Sequence, residues 1–290
     1  MSWQQASSSA DGDDPIDPHA FPRAAGLATF EHLTTTGSTM QRARELAADP
    51  RSLLPALVVA DRQTMGRGRR GACWWQAADS LAASLVVESP DAVPPPTWSL
   101  ACGVALAESL ETVEPGVVAR VRWPNDVDVD GRKLAGILVE TAPGGRVVFG
   151  IGVNTTGSSR WAPPPLQARI VTVPDLTGRG LPRQQLLAEF LPRFFRLLAA
   201  MTVDPQAFVA RYRRRCSLTG HPVTVHQESP RETRGGSPET PVGGAAAARR
   251  ITGICRGIAE DGGLVLDTDD GPVHLVSGSL TDPADVWRGS

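Results

Sequence analysis

This chain of 290 residues has almost no lysine: 29 residues are Lys or Arg, and Lys133 is the one lysine among them. It has one tyrosine, and aromatic residues make up 5% of the sequence. Its four cysteines, Cys73, Cys102, Cys216 and Cys255, stand far apart without a CxxC pair. That spacing argues against a disulfide framework or a structural zinc site and fits a reduced, cytoplasmic protein. No apolar run reaches the roughly 18–20 residues that span a bilayer, so no membrane association is expected. The N-terminus lacks the charged-then-apolar pattern of a secretion signal. A formal charge of −2 argues against a nucleic-acid surface spread over the whole molecule and leaves room for a local basic patch.

The scarcity of lysine makes its one occurrence informative. Arginine is a planar fork, whereas lysine is a compact point charge on a thin stem. Where the composition favours arginine, a retained lysine is either a position that a guanidinium cannot serve or the last one left by chance.

With 41% hydrophobic residues, the chain can bury a substantial core. Residues 1–25 are polar, acidic and proline-bearing and read as a disordered tail. Ser38 and Gln41 make a capping-box pattern for a helix that stops before Pro50. PALVVADRQ and SLAASLVVE read as strands, and residues 97–113 have helical spacing and length. ARVRW alternates like a strand, and VDVDGRKLAGILVET forms a hairpin around Asp130-Gly131. RVVFGIGVN follows another turn, so these strands should pair antiparallel. Helices are expected at 182–200 and 204–216. Without regular βαβ alternation, the fold class is α+β. Short strands after residue 217 predict a small β-barrel or sandwich, interrupted at 227–250 by a Pro/Gly/Ser/Ala-rich flexible loop. The divisions are therefore 1–25, 26–217 and 218–290.

GRGRRG, residues 66–71, carries the clearest chemistry. Gly66, Gly68 and Gly71 let backbone approach a ligand, and successive N–H groups can form an anion nest. Arg67, Arg69 and Arg70 add forked donors suited to phosphate. No GK[ST] follows, so this is not a Walker loop. Trp74 and Trp75 come next, offering an aromatic surface on which a base could stack. VRWPND then places Asn125 and Asp126 just past a strand end, shortly before Lys133.

TGSTMQRA, DRQTMGRGRRGACW, VRWPNDVDVDGRKLAGILVE and VVFGIGVN occur in this order. Together they resemble the biotin–protein ligases, closely over about residues 30–157 and loosely into the C-terminal β-domain. The resemblance implies a class II synthetase-like catalytic domain, with a central mixed or antiparallel sheet and flanking helices, plus an SH3-like barrel. It implies MgATP and biotin as substrates and no tightly bound metal. It also implies transfer of biotin, through biotinyl-5′-AMP, to a lysine on the biotin carboxyl carrier domain of a carboxylase.

By the same resemblance Ser38, Thr39, Met40, Gln63 and Gly136 line the biotin pocket. Gly66, Arg67, Gly68, Arg69, Arg70, Trp74, Asn125 and Asn154 meet the nucleotide. Lys133 reaches the reacting carboxylate and α-phosphate with Arg67 and Arg69. Asp126 stands where a carboxylate either handles the incoming carrier lysine or caps N–H groups at the hairpin start. Met40 stands where the family commonly has asparagine, and Ala72 where an arginine often closes the loop. Too few residues precede the Ser-Thr motif for the family's DNA-binding domain, so no nucleic-acid partner is expected, and the chain should be a monomer or weak homodimer. The competing readings are a lipoate- or octanoate-adenylating ligase and a non-catalytic module that binds a nucleotide or acyl-adenylate.

Overall fold

A computed structural model describes residues 16–77, 79–90, 93, 95–227 and 249–280. Helix α1 (Ala20–Ala24) falls inside the stretch expected to be disordered. Ile16 and Phe21 are 2% and 3% exposed, and Phe21 meets Phe30 edge-on at 5.5 Å. Two apolar side chains dock a segment whose average composition is polar. Residues 1–15 of the expected tail, and 228–248 of the expected loop, lie outside the described residues.

Strand β1 (Thr29–Thr36) runs parallel to β2 (Ala56–Gln63), and α2 (Thr39–Ala48) makes the crossover between them. β1 is absent from the sequence expectations, because a threonine-rich edge strand shows little apolar alternation. Then come β3 (Leu81–Glu88), α3 (Pro95–Val113), β4 (Arg120–Arg122), β5 (Asp126–Val129), β6 (Arg132–Ala142) and β7 (Arg146–Val153). The sheet order is β1-β2-β3-β7-β6-β5-β4, antiparallel except for β1 with β2. The expected hairpin joins β5 to β6, with Asp130 at φ 51° and Gly131 at φ 75°. Positive φ at both positions is what a type I′ turn requires.

Four helices follow: α4 (Pro164–Gln167), α5 (Val173–Thr177), α6 (Arg183–Val203) and α7 (Pro205–Arg215). Strand alternation sends Leu57, Val59, Leu85 and Phe149 into one large core with α3 and α6. Ala56, Val58, Val86 and Val148 face the other way, onto Met40, Ala43 and Leu46 of α2. Buried Glu108 on α3 binds the guanidinium groups of Arg211 and Arg215, tying α7 down. Strands β8 (Pro222–Gln227), β9 (Arg249–Ile258), β10 (Leu264–Thr268), β11 (Gly271–Leu275) and β12 (Ser279–Leu280) form a separate antiparallel sheet ordered β11-β10-β9-β8-β12. The architecture is the expected α+β arrangement, a mixed sheet with flanking helices and a small β-domain.

Candidate active site

A cavity of about 270 Å³ opens on the α2 face of the large sheet. Its floor is made by glycine. Gly136 on β6 pairs with Gly152 on β7, and Gly150 lies two residues along the same strand. A Cβ on Gly152 would stand 2.5 Å from the Trp74 ring, and one on Gly150 2.6 Å from the Met40 sulfur. On Gly136 it would stand 2.9 Å from the Lys133 side chain and 3.1 Å from Trp74. Only bare backbone lets these groups, or a ligand, lie so close to the sheet. Gly150 and Gly152 were missed as site residues, although glycine at every second strand position is a readable sign of close approach.

One wall comes from the start of α2. Ser38 is the N-cap, but its side chain makes no capping hydrogen bond, so the expected capping box with Gln41 does not form. Gln63 on β2 secures the turn instead: its Oε1 accepts from the Thr39 N–H at 2.9 Å and the Thr39 hydroxyl at 3.2 Å. The Ser84 hydroxyl donates to Thr39 Oγ1 at 2.8 Å. Ser38 and Thr39 are 5% and 2% exposed, so the polar wall is preset within a buried network.

The Gly-Arg loop folds over the opposite side. Its backbone closes through Gly68 N–H to Ala72 O at 2.7 Å and Trp74 N–H to Gly66 O at 3.0 Å. Arg70 sits at φ 55° and Gly71 at φ 75°, the local reversal that glycine eases. Arg69 donates to Asn125 Oδ1 at 3.2 Å and to the Gly278 carbonyl at 3.3 Å. Arg70 donates to the Ser279 hydroxyl at 2.6 Å. The small β-domain therefore anchors the loop, and Ser279 lines the cavity. That contribution was illegible in sequence because it spans 209 positions. Burial, with the charge of Arg70 beside it, pulls Arg69 below the usual arginine value, while Asp126 opposes the shift.

Lys133 and Asp126 meet at the junction of floor and loop. Lys133 Nζ lies 2.6 Å from Asp126 Oδ1 and 5.5 Å from the Trp74 ring centroid. The lysine side chain is 32% exposed, so it is half-buried and reachable. Its backbone is pinned on both sides, through its N–H to Arg169 O at 2.8 Å and its carbonyl from Val171 N–H at 3.0 Å. Asn125 braces β6, donating from Nδ2 to Ile137 O at 2.7 Å. The indole N–H of Trp74 is buried with no hydrogen-bond partner, a donor suited to a ligand acceptor.

Ser38, Thr39, Met40, Gln63, Arg67, Gly68, Arg69, Arg70, Trp74, Asn125, Asp126, Lys133 and Gly136 all line the cavity. Gly66 does not, and acts by backbone as the acceptor for Trp74. Asn154 also lies outside the cavity's lining. It is 1% exposed; its side-chain Nδ2 donates to Val171 O at 3.1 Å, its backbone carbonyl accepts from Val173 N–H at 2.9 Å, and its Oδ1 is buried without a hydrogen-bond partner. Asn154 thus fixes the segment that holds Lys133.

Comparison with known proteins agrees with this geometry. Residues 34–155 match the Biotin/lipoate A/B protein ligase family, and residues 246–279 match the Biotin protein ligase C terminal domain. A biotin–[acetyl-CoA-carboxylase] ligase of Mycobacterium tuberculosis is 31% identical over 264 residues, covering 88% of this chain and 90% of that one. One from Paracoccus denitrificans is 34% identical over 176 residues, covering 58% and 72%. The structure of a biotin protein ligase from Aquifex aeolicus in complex with biotin and ATP has a TM-score of 0.71 at 25% identity, covering 88% of this chain and 98% of that one. The chain belongs to the Biotin/lipoate A/B protein ligase family. Within that family it is a biotin protein ligase, an enzyme whose substrates are biotin and ATP.

Proposed function

We propose that this one cavity runs both half-reactions of biotin attachment. The observation that carries the reading is the Lys133–Asp126 pair, set between the glycine floor under Trp74 and the Gly-Arg loop. Ser38 and the Thr39–Gln63 network hold the polar head of biotin against the α2 wall. A carboxylate oxygen of biotin attacks the α-phosphorus of ATP, the bond to the β-phosphate oxygen breaks, and pyrophosphate leaves. Arg67 and Arg69 close on the phosphates, and Lys133 sits where negative charge builds on the transferring group. Chemistry of this kind is mostly positioning and electrostatic stabilisation. Magnesium arrives on the triphosphate, as that ion usually does.

In the second half-reaction a lysine amine of a carboxylase carrier domain attacks the acyl carbon of the mixed anhydride, and AMP leaves. Asp126 first holds Lys133 in place, then takes the proton of the incoming amine. The acceptor is a carrier domain of acetyl-CoA carboxylase or a related enzyme, and the setting is the cytoplasm.

The test is exchange of labelled pyrophosphate into ATP with biotin, lipoate, octanoate or no acid added. Exchange should require biotin. Exchange only with lipoate or octanoate would overturn the substrate assignment, and none with any acid would overturn the adenylation step.

A further inference from the structure

Strand β2 outruns its neighbour. Its ladder with β3 runs from Ala56–Val86 to Ala60–Ala82, yet β2 continues through Asp61 and Arg62 to Gln63. A strand end without a partner leaves peptide N–H and C=O groups to be satisfied some other way. Here a side chain takes the missing strand's place. Gln76, 5% exposed, lies between the Gly-Arg loop and β3. Its Oε1 accepts from the Gln63 N–H at 3.2 Å, and its Nε2 donates to the Asp61 carbonyl at 3.0 Å. The same Nε2 donates to the Ser80 carbonyl, just before β3, at 3.0 Å. Alternate residues of a strand present their peptide groups to the same side, so one carboxamide serves Asp61 and Gln63 as a neighbouring peptide would. Asp61 is itself anchored: Arg183 donates to its Oδ1 at 2.8 Å, and His32 Nε2 lies 2.7 Å from the same oxygen.

Chemistry fixes the orientation of both carboxamides. A peptide N–H only donates and a peptide carbonyl only accepts. The oxygen of Gln76 must therefore face Gln63, and its NH2 group must face Asp61 and Ser80. At Gln63 the Thr39 N–H holds Oε1 in the same way, at 2.9 Å. The Gln63 NH2 group is thus turned toward Gly66, where a Cβ would stand 3.3 Å from Nε2. Gln63 lines the active-site cavity, whereas Gln76 lies outside its lining and reaches it only through the residue it holds. Trp74 precedes Gln76 by two positions but is set separately, its N–H donating to Gly66 O at 3.0 Å.

We infer that Gln76 is a positioning residue for biotin: its carboxamide completes the free end of β2 and thereby sets the Gln63 amide that faces the ligand. The inference rests on the placement of biotin's polar head at the wall made by Ser38, Thr39 and Gln63. With Gln76 present, the Gln63 N–H and the Asp61 and Ser80 carbonyls are satisfied in a setting where an unmade bond is costly. Without it these groups need other partners, and the end of β2 shifts to find them. Gln63 moves with that backbone, and the donor it holds toward the ligand is misdirected. The arginines of the Gly-Arg loop stand on the opposite side of the cavity, so the loss falls on biotin rather than on ATP.

The experiment is pyrophosphate exchange on the full chain, with biotin and ATP varied in turn. Gln76→Ala should raise the KM for biotin about tenfold, while the KM for ATP and the rate at saturating biotin stay within about twofold. Gln76→Met keeps the side-chain volume and loses the three hydrogen bonds. It should behave alike, and it decides the question if the alanine variant does not fold. Gln63→Ala should weaken biotin by itself, and adding Gln76→Ala to it should change the biotin KM by less than about twofold. A residue that merely supports the fold would not show that non-additivity. An unchanged biotin KM in Gln76→Met, an equal rise in both KM values, or a further loss of the same size in the double variant would overturn the inference. An unchanged biotin KM in Gln63→Ala would overturn it together with the placement of biotin at this wall.

Discussion

The two faces of the seven-stranded sheet use alternate residues of the same strands and reach opposite outcomes. On one face Phe149 meets Phe194 edge-on at 5.0 Å, and Phe190 stacks on Phe194 at 5.5 Å beneath α6. On the other, the neighbouring positions of β6 and β7 are Gly136, Gly150 and Gly152, and the space above them is the cavity. The first face is built by filling and the second by removing side chains. Glycine in a strand interior lowers stability, so the aromatic face supports the strands that the glycine face weakens.

The largest test of this division is Phe194→Ala. It should cost about 3–5 kcal/mol in chemical denaturation, while the folded variant keeps its biotin affinity in calorimetry. A matching loss of affinity would show that the faces are not independent. Lys133→Arg should do the reverse. We expect biotin-dependent pyrophosphate exchange to fall roughly 10²–10³-fold, with an unchanged thermal midpoint. Retained exchange would mean that a guanidinium serves there after all.

A sharper comparison sets neighbouring residues against each other. Gly152→Ala pushes a methyl group into the Trp74 ring and should reduce exchange about tenfold, or ~1.4 kcal/mol. Val153→Ala, on the packed face, should lower the midpoint of chemical denaturation and leave exchange alone. Equal effects on exchange would dissolve the distinction.

The smallest expected effect lies at Asp128, 1% exposed on β5. Burial raises its pKa, opposed by the Ser217 hydroxyl. The folded state therefore holds the proton more tightly than the unfolded state. Stability is lost as pH rises from the unfolded carboxylate value, about 3.9, through the folded one. Asp128→Asn should raise the thermal midpoint at pH 7 and lose that advantage near pH 4. A gain that does not depend on pH would assign the effect to packing.

Much of the catalytic half was legible because its signals are local. The Asp130-Gly131 turn, the Gly-Arg loop and the position of Lys133 each depend on a few consecutive residues. β1 escaped notice because its eight positions alternate little in polarity. The segment around 169–171 also escaped, since its service to Lys133 is made by backbone hydrogen bonds. Ser279 could not be foreseen, because nothing near it in sequence indicates the loop it anchors. The bond from the Asn154 side-chain Nδ2 to the Val171 carbonyl escaped for the same reason, since it joins residues 17 positions apart.

The near-absence of lysine has a consequence beyond geometry. The intermediate made by a biotin protein ligase is an acyl group activated for attack by an amine. Every positively charged side chain of this chain except Lys133 is an arginine or a histidine, and a guanidinium stays protonated and unreactive at neutral pH. The one side-chain amine it does have is held against Asp126. Charge and nucleophilicity, which lysine combines, are here kept apart, leaving the enzyme a poor target for its own reagent.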